Sequence, residues 1–573
     1  MLEAVTFESD VEIPMRDGVV LRADIYFPVG DGRFPALVMR LPYAKFHAES
    51  NVYAHPSWFA ARGYLVVVQD VRGRGVSDDD FDPFVHEAKD GYDTIEWVAV
   101  HPRCTGKVGM YGFSYVGSTQ LLAASQRPPH LTAVCPGHTS ADLYEGWTYR
   151  NGALQWAFTA YWSLYLSIDV AIRTGDWRRA QDLQSLLPTM PSRFATLPLT
   201  GLETVFSDLT PFFWEWLEHP TSGKYWQDRS AVLGWDVPTL SYAGWYDIFC
   251  DAAFTTFAAL KEKGVPQELV VGPWWHMPWS QFVGSLDFGP QAKSDVNERL
   301  VKWLDTWCKE EVPVSEWQST IRYFVMGENT WRNANSWPPA GTKVTDYFLS
   351  SGGYANSMNG SGALTESQVI NDEPDRYVYN PKDPVPSLGG QSCCYSSISP
   401  MGTADQRPVE TRNDVLVFTG DVCMATVTIA GQIELTLFAA TSGDDADFTA
   451  KLVDVHPDGP VINLCDGIVR ARYRSGTDAP DFVTPNAVTE YRINLGNIAH
   501  SFLPGHRIRL EVSSSNFPAF DRNPSTRMEP AKAEWKDFAM AVQTVYHDSD
   551  RPSRLHLPIL SKGLGDEADF QSE

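Results

Sequence analysis

Residues 107–117 read Lys-Val-Gly-Met-Tyr-Gly-Phe-Ser-Tyr-Val-Gly, and Ser114 is the residue whose surroundings first suggest chemistry. A β-rich run leads into it and a run of small residues with helical character follows. Read as a Gly-x-Ser-x-Gly type of turn, the segment sets a hydroxyl on a tight strand-to-helix corner, with glycines where side chains would meet neighbouring backbone. Such a serine attacks a carbonyl carbon when a base takes its proton and an acid orients the base. In α/β proteins that use this corner, the acid and the base follow the serine, each after a later strand. Asp247 ends the run TLSYAGWYD and His276 follows ELVVGPWW. The later histidines, His456, His500, His506, His547 and His556, all fall in a β-rich tail, so His276 is the one placed to act as the base. The developing oxyanion needs two donors. The backbone N–H of Tyr115 is one by position. With no His-Gly-Gly-Gly run present, the Tyr43 hydroxyl, after the run FPALVMRL, is the candidate for the other. Read from the residues alone, Tyr43 is equally a tyrosine packed at a strand end.

These groups need strands and helices to hold them. VEIPMRDGVVLRADIYFP reads as two strands turning at Asp17-Gly18. FPALVMRLPY and GYLVVVQDVRG are short apolar runs of the kind buried on both faces of a sheet. DGYDTIEWVAVHP has helical spacing and stops before Pro102. Residues 142–236 change to long amphipathic helical runs dense in aromatics, and strands return at VPTLSYAGWYD and QELVVGPWWH. That pattern predicts an α/β domain over 1–141 and 237–354, interrupted by a helical cap at 142–236. From 355 to 573, short alternating runs separated by turn residues predict a β-sandwich of jelly-roll type. Trp147, Trp156, Phe158, Tyr161, Trp162, Trp245 and Trp275 are the candidates for substrate contact. The commoner role for such aromatics, with Trp214, Trp216 and Trp226, is core packing, so a minority is expected to line the site.

Composition narrows the partners. The chain has 573 residues and a net charge of −25, from 46 Lys plus Arg against 71 Asp plus Glu. That balance argues against nucleic acid or an anionic membrane surface and fits a soluble acidic enzyme; the partner expected is a small-molecule ester or amide substrate. No apolar stretch approaches the roughly 20 residues that span a bilayer, and the N-terminus has no apolar core of a secretion signal. The eight cysteines include the adjacent pair Cys393-Cys394 but no Cys-x-x-Cys, so neither a zinc site nor a disulfide framework is indicated. A cytoplasmic location and no metal or other cofactor are the expectations; a homodimer is left open. QDVRGRG lacks the Gly-Lys-Ser/Thr ending of a phosphate loop, and Arg72 and Arg74 are expected to tie that loop down by pairing with carboxylates. The run Asp78-Asp79-Asp80 reads as a solvated loop or as part of an amine-binding site.

The segments RLPYAKF, QDVRGRGVSD, EAKDGYDTIEWVAVHP, GKVGMYGFSYVGSTQ, RNGALQWAF, GWYDIF, VVGPWWH and DQRPVETRNDVLVFTGD occur in an order spread over nearly the whole chain. In this the sequence resembles the cocaine-esterase-like serine hydrolases, a group that includes α-amino-acid ester hydrolases, glutaryl acylases and X-Pro dipeptidyl peptidases. The resemblance implies an α/β-hydrolase domain with an inserted helical cap, followed by a C-terminal jelly roll. It implies Ser114, Asp247 and His276 as the triad, with Tyr43 and the Tyr115 amide as the oxyanion site. Pro102-Arg103-Cys104 departs from the usual Pro-Trp pair, a packing change. The reaction implied is hydrolysis of a carboxylic ester or amide, including X-Pro dipeptide or α-amino-acid ester specificities. An acyltransferase using the same acyl-enzyme and an inert binding protein are the alternatives.

Overall fold

The hairpin expected at Asp17-Gly18 forms, with β1 (Thr6–Pro14) antiparallel to β2 (Val20–Phe27) and Gly18 at φ +90° in the turn. They edge a ten-stranded sheet completed by β3 (Phe34–Leu41), β4 (Leu65–Asp70), β5 (Cys104–Phe113), β6 (Leu131–Gly137), β7 (Thr239–Gly244), β8 (Gln267–Gly272), β9 (Thr320–Val325) and β10 (Thr330–Ala334). The order is β1-β2-β4-β3-β5-β6-β7-β8-β9-β10. From β4 across to β9 every pairing is parallel. This is the α/β-hydrolase order, in which the exchange of β3 and β4 brings the ends of β3 and β5 side by side. The computed structural model describes residues 5–47, 52–202, 208–317, 320–370 and 372–561.

Residues alternate between the two faces of the central strands, as a period of two requires. Ala36, Val38, Leu65 and Val67 pack beneath Ile95 and Val98 of helix Glu87–Ala99 and Leu121 of helix Tyr115–Ser125. Their neighbours Leu37, Met39, Val66 and Val68 pack on the other face with Phe59, Leu300 and Trp303. Burial on both faces explains why these strands read as continuous apolar runs.

Between β6 and β7 the chain leaves the sheet and builds the helical cap, chiefly helices Trp156–Arg173, Trp177–Leu186 and Pro211–Glu218. Its core is aromatic: Trp162 and Trp216 stack with centroids 5.8 Å apart and planes 7° from parallel. After β10 the chain enters a second, eleven-stranded and almost wholly antiparallel sheet that folds into the C-terminal β-sandwich. Strand Thr342–Ser350 belongs to this sheet, since it pairs with Arg554–Leu560. The sequence reading kept residues up to 354 with the first sheet, whereas the change of sheet falls between Ala334 and Thr342. Strand Val427–Thr441 pairs along its length with Thr489–Phe502 and on its other side with Arg554–Leu560 and Ala541–Tyr546. The sandwich is bonded directly to the first domain: Met326, just past β9, donates to Ala499 O at 3.1 Å and accepts from Ser501 N–H at 2.8 Å. Among the described residues, no helix is long and apolar enough to cross a membrane.

Candidate active site

Ser114 stands between β5 and helix Tyr115–Ser125 at φ 63°, ψ −132°, a conformation that costs about 1–3 kcal/mol for a residue with a Cβ. Its neighbours show what holds it there. Ser114 N–H donates to Gly137 O at 2.9 Å, which ties the corner to the end of β6. Val116, not glycine, stands two residues after Ser114, and its Cγ1 would lie 2.2 Å from a Cβ placed on Gly112. The second glycine comes at 117, where a Cβ would lie 2.7 Å from Thr139 Cβ. The strict Gly-x-Ser-x-Gly spacing is therefore not met; the glycines sit where Val116 and Thr139 crowd the turn.

Asp247 and His276 follow β7 and β8 on the same edge of the sheet. Both are buried, and His276 Nδ1 lies 2.5 Å from Asp247 Oδ2. The other carboxylate oxygen accepts from Phe249 N–H at 2.7 Å. Burial pushes the Asp247 carboxyl up, but the two imidazoles beside it, His276 first and through a hydrogen bond, outweigh it and hold the group well below the usual carboxylate range. With Nδ1 held by a carboxylate, the imidazole presents Nε2 as the nitrogen free to take a proton.

His138, directly after β6, was not singled out from the sequence. Its Nδ1 is 3.1 Å from Asp247 Oδ2 but off the line a hydrogen bond requires, so the contact is electrostatic. The ring stacks on Trp279 at 4.3 Å and burial lowers its pKa, which favours a neutral imidazole. Its position at a strand end on the edge that carries Ser114, Asp247 and His276 is a signal the sequence did contain.

Tyr43 follows β3. Its hydroxyl lies beside Ser114 and accepts from Trp162 Nε1–H at 3.0 Å, and burial pushes its pKa up to about 12. Indole N–H only donates, so the phenol oxygen takes that bond and keeps its own proton to donate. Arg74 fixes this loop as expected, donating to Pro42 O at 2.7 Å and pairing with Asp169 of the cap at 3.0 Å. Arg72 pairs with Asp17, Asp79 and Asp90. Asp79 is thus committed to Arg72, while Asp78 and Asp80 are exposed. A cavity of about 690 Å³ opens beside Tyr43, lined by Arg74, Tyr165, Asp169 and Arg173 among others. The Tyr115 side chain is tied to Glu87 at 2.8 Å, leaving its backbone amide, at the start of the helix, as the group beside Ser114.

The aromatic candidates divide. Trp147 packs on Tyr115, Phe158, Trp162 and Phe249, and Phe249 in turn packs on His276. Tyr161 meets Tyr395 of the C-terminal region edge-on at 5.6 Å. Trp156 is placed in the cap interior, donating to Phe194 O at 3.1 Å. Trp245 points to the far side, donating to Phe324 O at 2.8 Å and stacking on Phe254 and Trp337. Trp275 packs at Gly402 in the core shared with the sandwich.

The C-terminal region also reaches the site, through a segment the sequence did not flag. Ser392 pairs with Asp247 in a short parallel bridge, and Gln391 donates to Trp245 O at 3.0 Å. Cys393 and Cys394 form a disulfide, against the expectation of none, because adjacent cysteines need no separate motif to meet. Their sulfurs and a ring nitrogen of His276 lie within 4.8 Å of one another. His138, Asp247 and His276 also have donor atoms within that distance, but His276 Nδ1 is committed to the carboxylate.

Known proteins carry the same arrangement of domains. A family model described as X-Pro dipeptidyl-peptidase (S15 family) matches residues 17–278, and one for the X-Pro dipeptidyl-peptidase C-terminal non-catalytic domain matches residues 315–556. Cocaine esterase of Rhodococcus sp. (strain MB1 Bresler) is 36% identical over 569 residues, covering 97% of this chain and 98% of its own. The chain belongs to the cocaine esterase family. Among solved structures, an α-amino acid ester hydrolase labelled with selenomethionine has a TM-score of 0.81 at 26% identity, covering 97% of both chains. An aminopeptidase from the marine sediment archaeon Thaumarchaeota archaeon has a TM-score of 0.79 at 26% identity, covering 98% of this chain and 97% of its own. As a member of the cocaine esterase family, the protein is a serine hydrolase of ester or amide bonds.

Proposed function

We propose that Ser114 is the nucleophile, His276 the general base and acid, and Asp247 the group that orients His276, acting on a small-molecule carboxylic ester or amide. Ser114 Oγ attacks the carbonyl carbon as its proton passes to His276 Nε2, and Asp247 stabilises the imidazolium that forms. The carbonyl oxygen, now negative, accepts from the Tyr43 hydroxyl and the Tyr115 amide. Collapse expels the alcohol or amine, which takes the proton from His276. Water then attacks the acyl-enzyme by the same steps in reverse. The observation that carries this reading is the strained Ser114 corner, with the Tyr43 hydroxyl beside the serine and the 2.5 Å Asp247–His276 pair on the same sheet edge. Replacing Ser114 with Ala should lower kcat by on the order of 10⁶ and abolish labelling by a serine-directed fluorophosphonate, with the circular dichroism unchanged. A Ser114→Ala protein that still labels stoichiometrically contradicts the assignment.

The related proteins carry different names: a cocaine esterase, an α-amino acid ester hydrolase and an aminopeptidase. Selection among acyl and leaving groups is assigned to the cap, whose Trp162 bonds the Tyr43 hydroxyl and whose Tyr165, Asp169 and Arg173 line the cavity beside it.

A further inference from the structure

A second cluster of titratable groups lies in the C-terminal sandwich and has no part in the mechanism above. Asp454 is the penultimate residue of strand Asp447–Val455, and His456 begins the turn that follows. His506 precedes strand Arg507–Ser513, which pairs with Asp447–Val455 so that Ile508 faces Asp454. His500 lies on Thr489–Phe502. All three histidines turn toward one buried carboxylate. His506 Nδ1 is 2.8 Å from Oδ1 of Asp454, His500 Nε2 is 3.0 Å from Oδ2, and His456 Nε2 is 3.5 Å from Oδ2.

Hydrogen bonding alone accounts for two of the three. His500 and His506 already give each carboxylate oxygen a donor. His456 is left over: it crowds the same carboxylate with its ring 4.4 Å from that of His506. Donor atoms of Asp454, His456 and His506 all lie within 4.8 Å of one another, close to the spacing of ligands around a cation bound at about 2.0–2.2 Å. His456 is also the member that reaches solvent, which gives an ion a way in.

We propose that Asp454, His456 and His506 form a binding site for a divalent transition cation of the zinc type, with His500 holding the second carboxylate oxygen. Two imidazoles and a carboxylate suit zinc, nickel or cobalt, whereas magnesium and calcium prefer oxygen ligands throughout. Three protein ligands leave a fourth position for water. A histidine donating to a ligating carboxylate is the kind of outer partner that fixes ligand orientation. An ion there joins the end of one strand, its turn and the start of the neighbouring strand, beside the Met326 contact that bonds the sandwich to the first domain.

The test uses the full-length protein after chelator treatment. Titration with Co²⁺ should give the visible absorption of a four-coordinate ion with nitrogen and oxygen ligands, displaced by an equivalent of Zn²⁺. Added Zn²⁺ should raise the melting temperature, as a ligand of the native state does, and Mg²⁺ should not. His456→Ala, in an accessible turn, should weaken Zn²⁺ binding at least tenfold and remove the thermal shift. X-ray absorption of the zinc-loaded parent should show imidazole and no sulfur around the metal, a readout that does not depend on any variant folding. Equal affinity and thermal shift in parent and His456→Ala, sulfur in the coordination shell, or no uptake by the parent would each overturn the site.

Discussion

Tyr43 carries the most specific claim at the scale of single residues. Its hydroxyl accepts from Trp162 beside Ser114, which leaves its own proton to donate, and the proposed acceptor is the carbonyl oxygen as charge develops on it. Tyr43→Phe should lower kcat by ~10²–10³ with little change in KM, since the bond strengthens only as the oxyanion forms. Phe keeps the ring, so the melting temperature should hardly move. A kcat within about threefold of the parent takes Tyr43 out of the mechanism. The same contacts set a pH expectation. Burial raises the Tyr43 pKa to about 12, so the phenol stays protonated, and a donor, well past the roughly 10 of an ordinary tyrosine. The pH–kcat profile should therefore stay level on its alkaline side through about pH 10. A fall centred near 10 in the parent that disappears in Tyr43→Phe would contradict the raised value.

At the scale of elements, the corner between β5 and its helix is held in shape by what fills it. A Cβ on Gly112 would come 2.2 Å from Val116 Cγ1, at φ +137°. Strain and overpacking together should make Gly112→Ala less stable by about 2–5 kcal/mol in a denaturant titration. Gly223→Ala is the control, because a Cβ there meets nothing within 4 Å, and it should stay within about 0.5 kcal/mol of the parent. A Gly112→Ala protein as stable as that control would show that the corner tolerates a side chain. These elements were largely legible in the sequence. The parallel strands appear as apolar runs because both faces are covered, and Ser114, Asp247 and His276 each follow one of them. What escaped notice depends on distance in three dimensions. His138 sits at a strand end like the others, but it precedes Asp247 in the chain, outside the serine–acid–histidine order. The Ser392–Cys394 segment reaches Asp247 from a different domain, and no local pattern in Gln-Ser-Cys-Cys-Tyr signals that. Trp156 and Trp162 lie on one helix with the same aromatic character, and only the helix's orientation sends one into the cap and the other to Tyr43.

At the scale of the whole molecule, the site is assembled from three regions far apart in the chain. The first sheet contributes Tyr43, Ser114, Asp247 and His276. The cap contributes Trp162, which holds the Tyr43 hydroxyl, and the C-terminal region contributes the Ser392 bridge to Asp247 and the cysteine pair beside His276. The reaction therefore belongs to the assembled chain, and its defining intermediate is an ester between substrate acyl group and one serine. The most direct test is rapid mixing of the full-length protein with an excess of a chromogenic aryl ester, acid quench, and mass spectrometry of the intact chain and its peptides. The account predicts a burst of released phenol approaching one equivalent per chain when deacylation is the slower step. It also predicts a mass increase equal to the acyl group, confined to the peptide that contains Ser114 and absent from Ser114→Ala. An acyl adduct on any other residue, or turnover by Ser114→Ala at the parent rate, would contradict it.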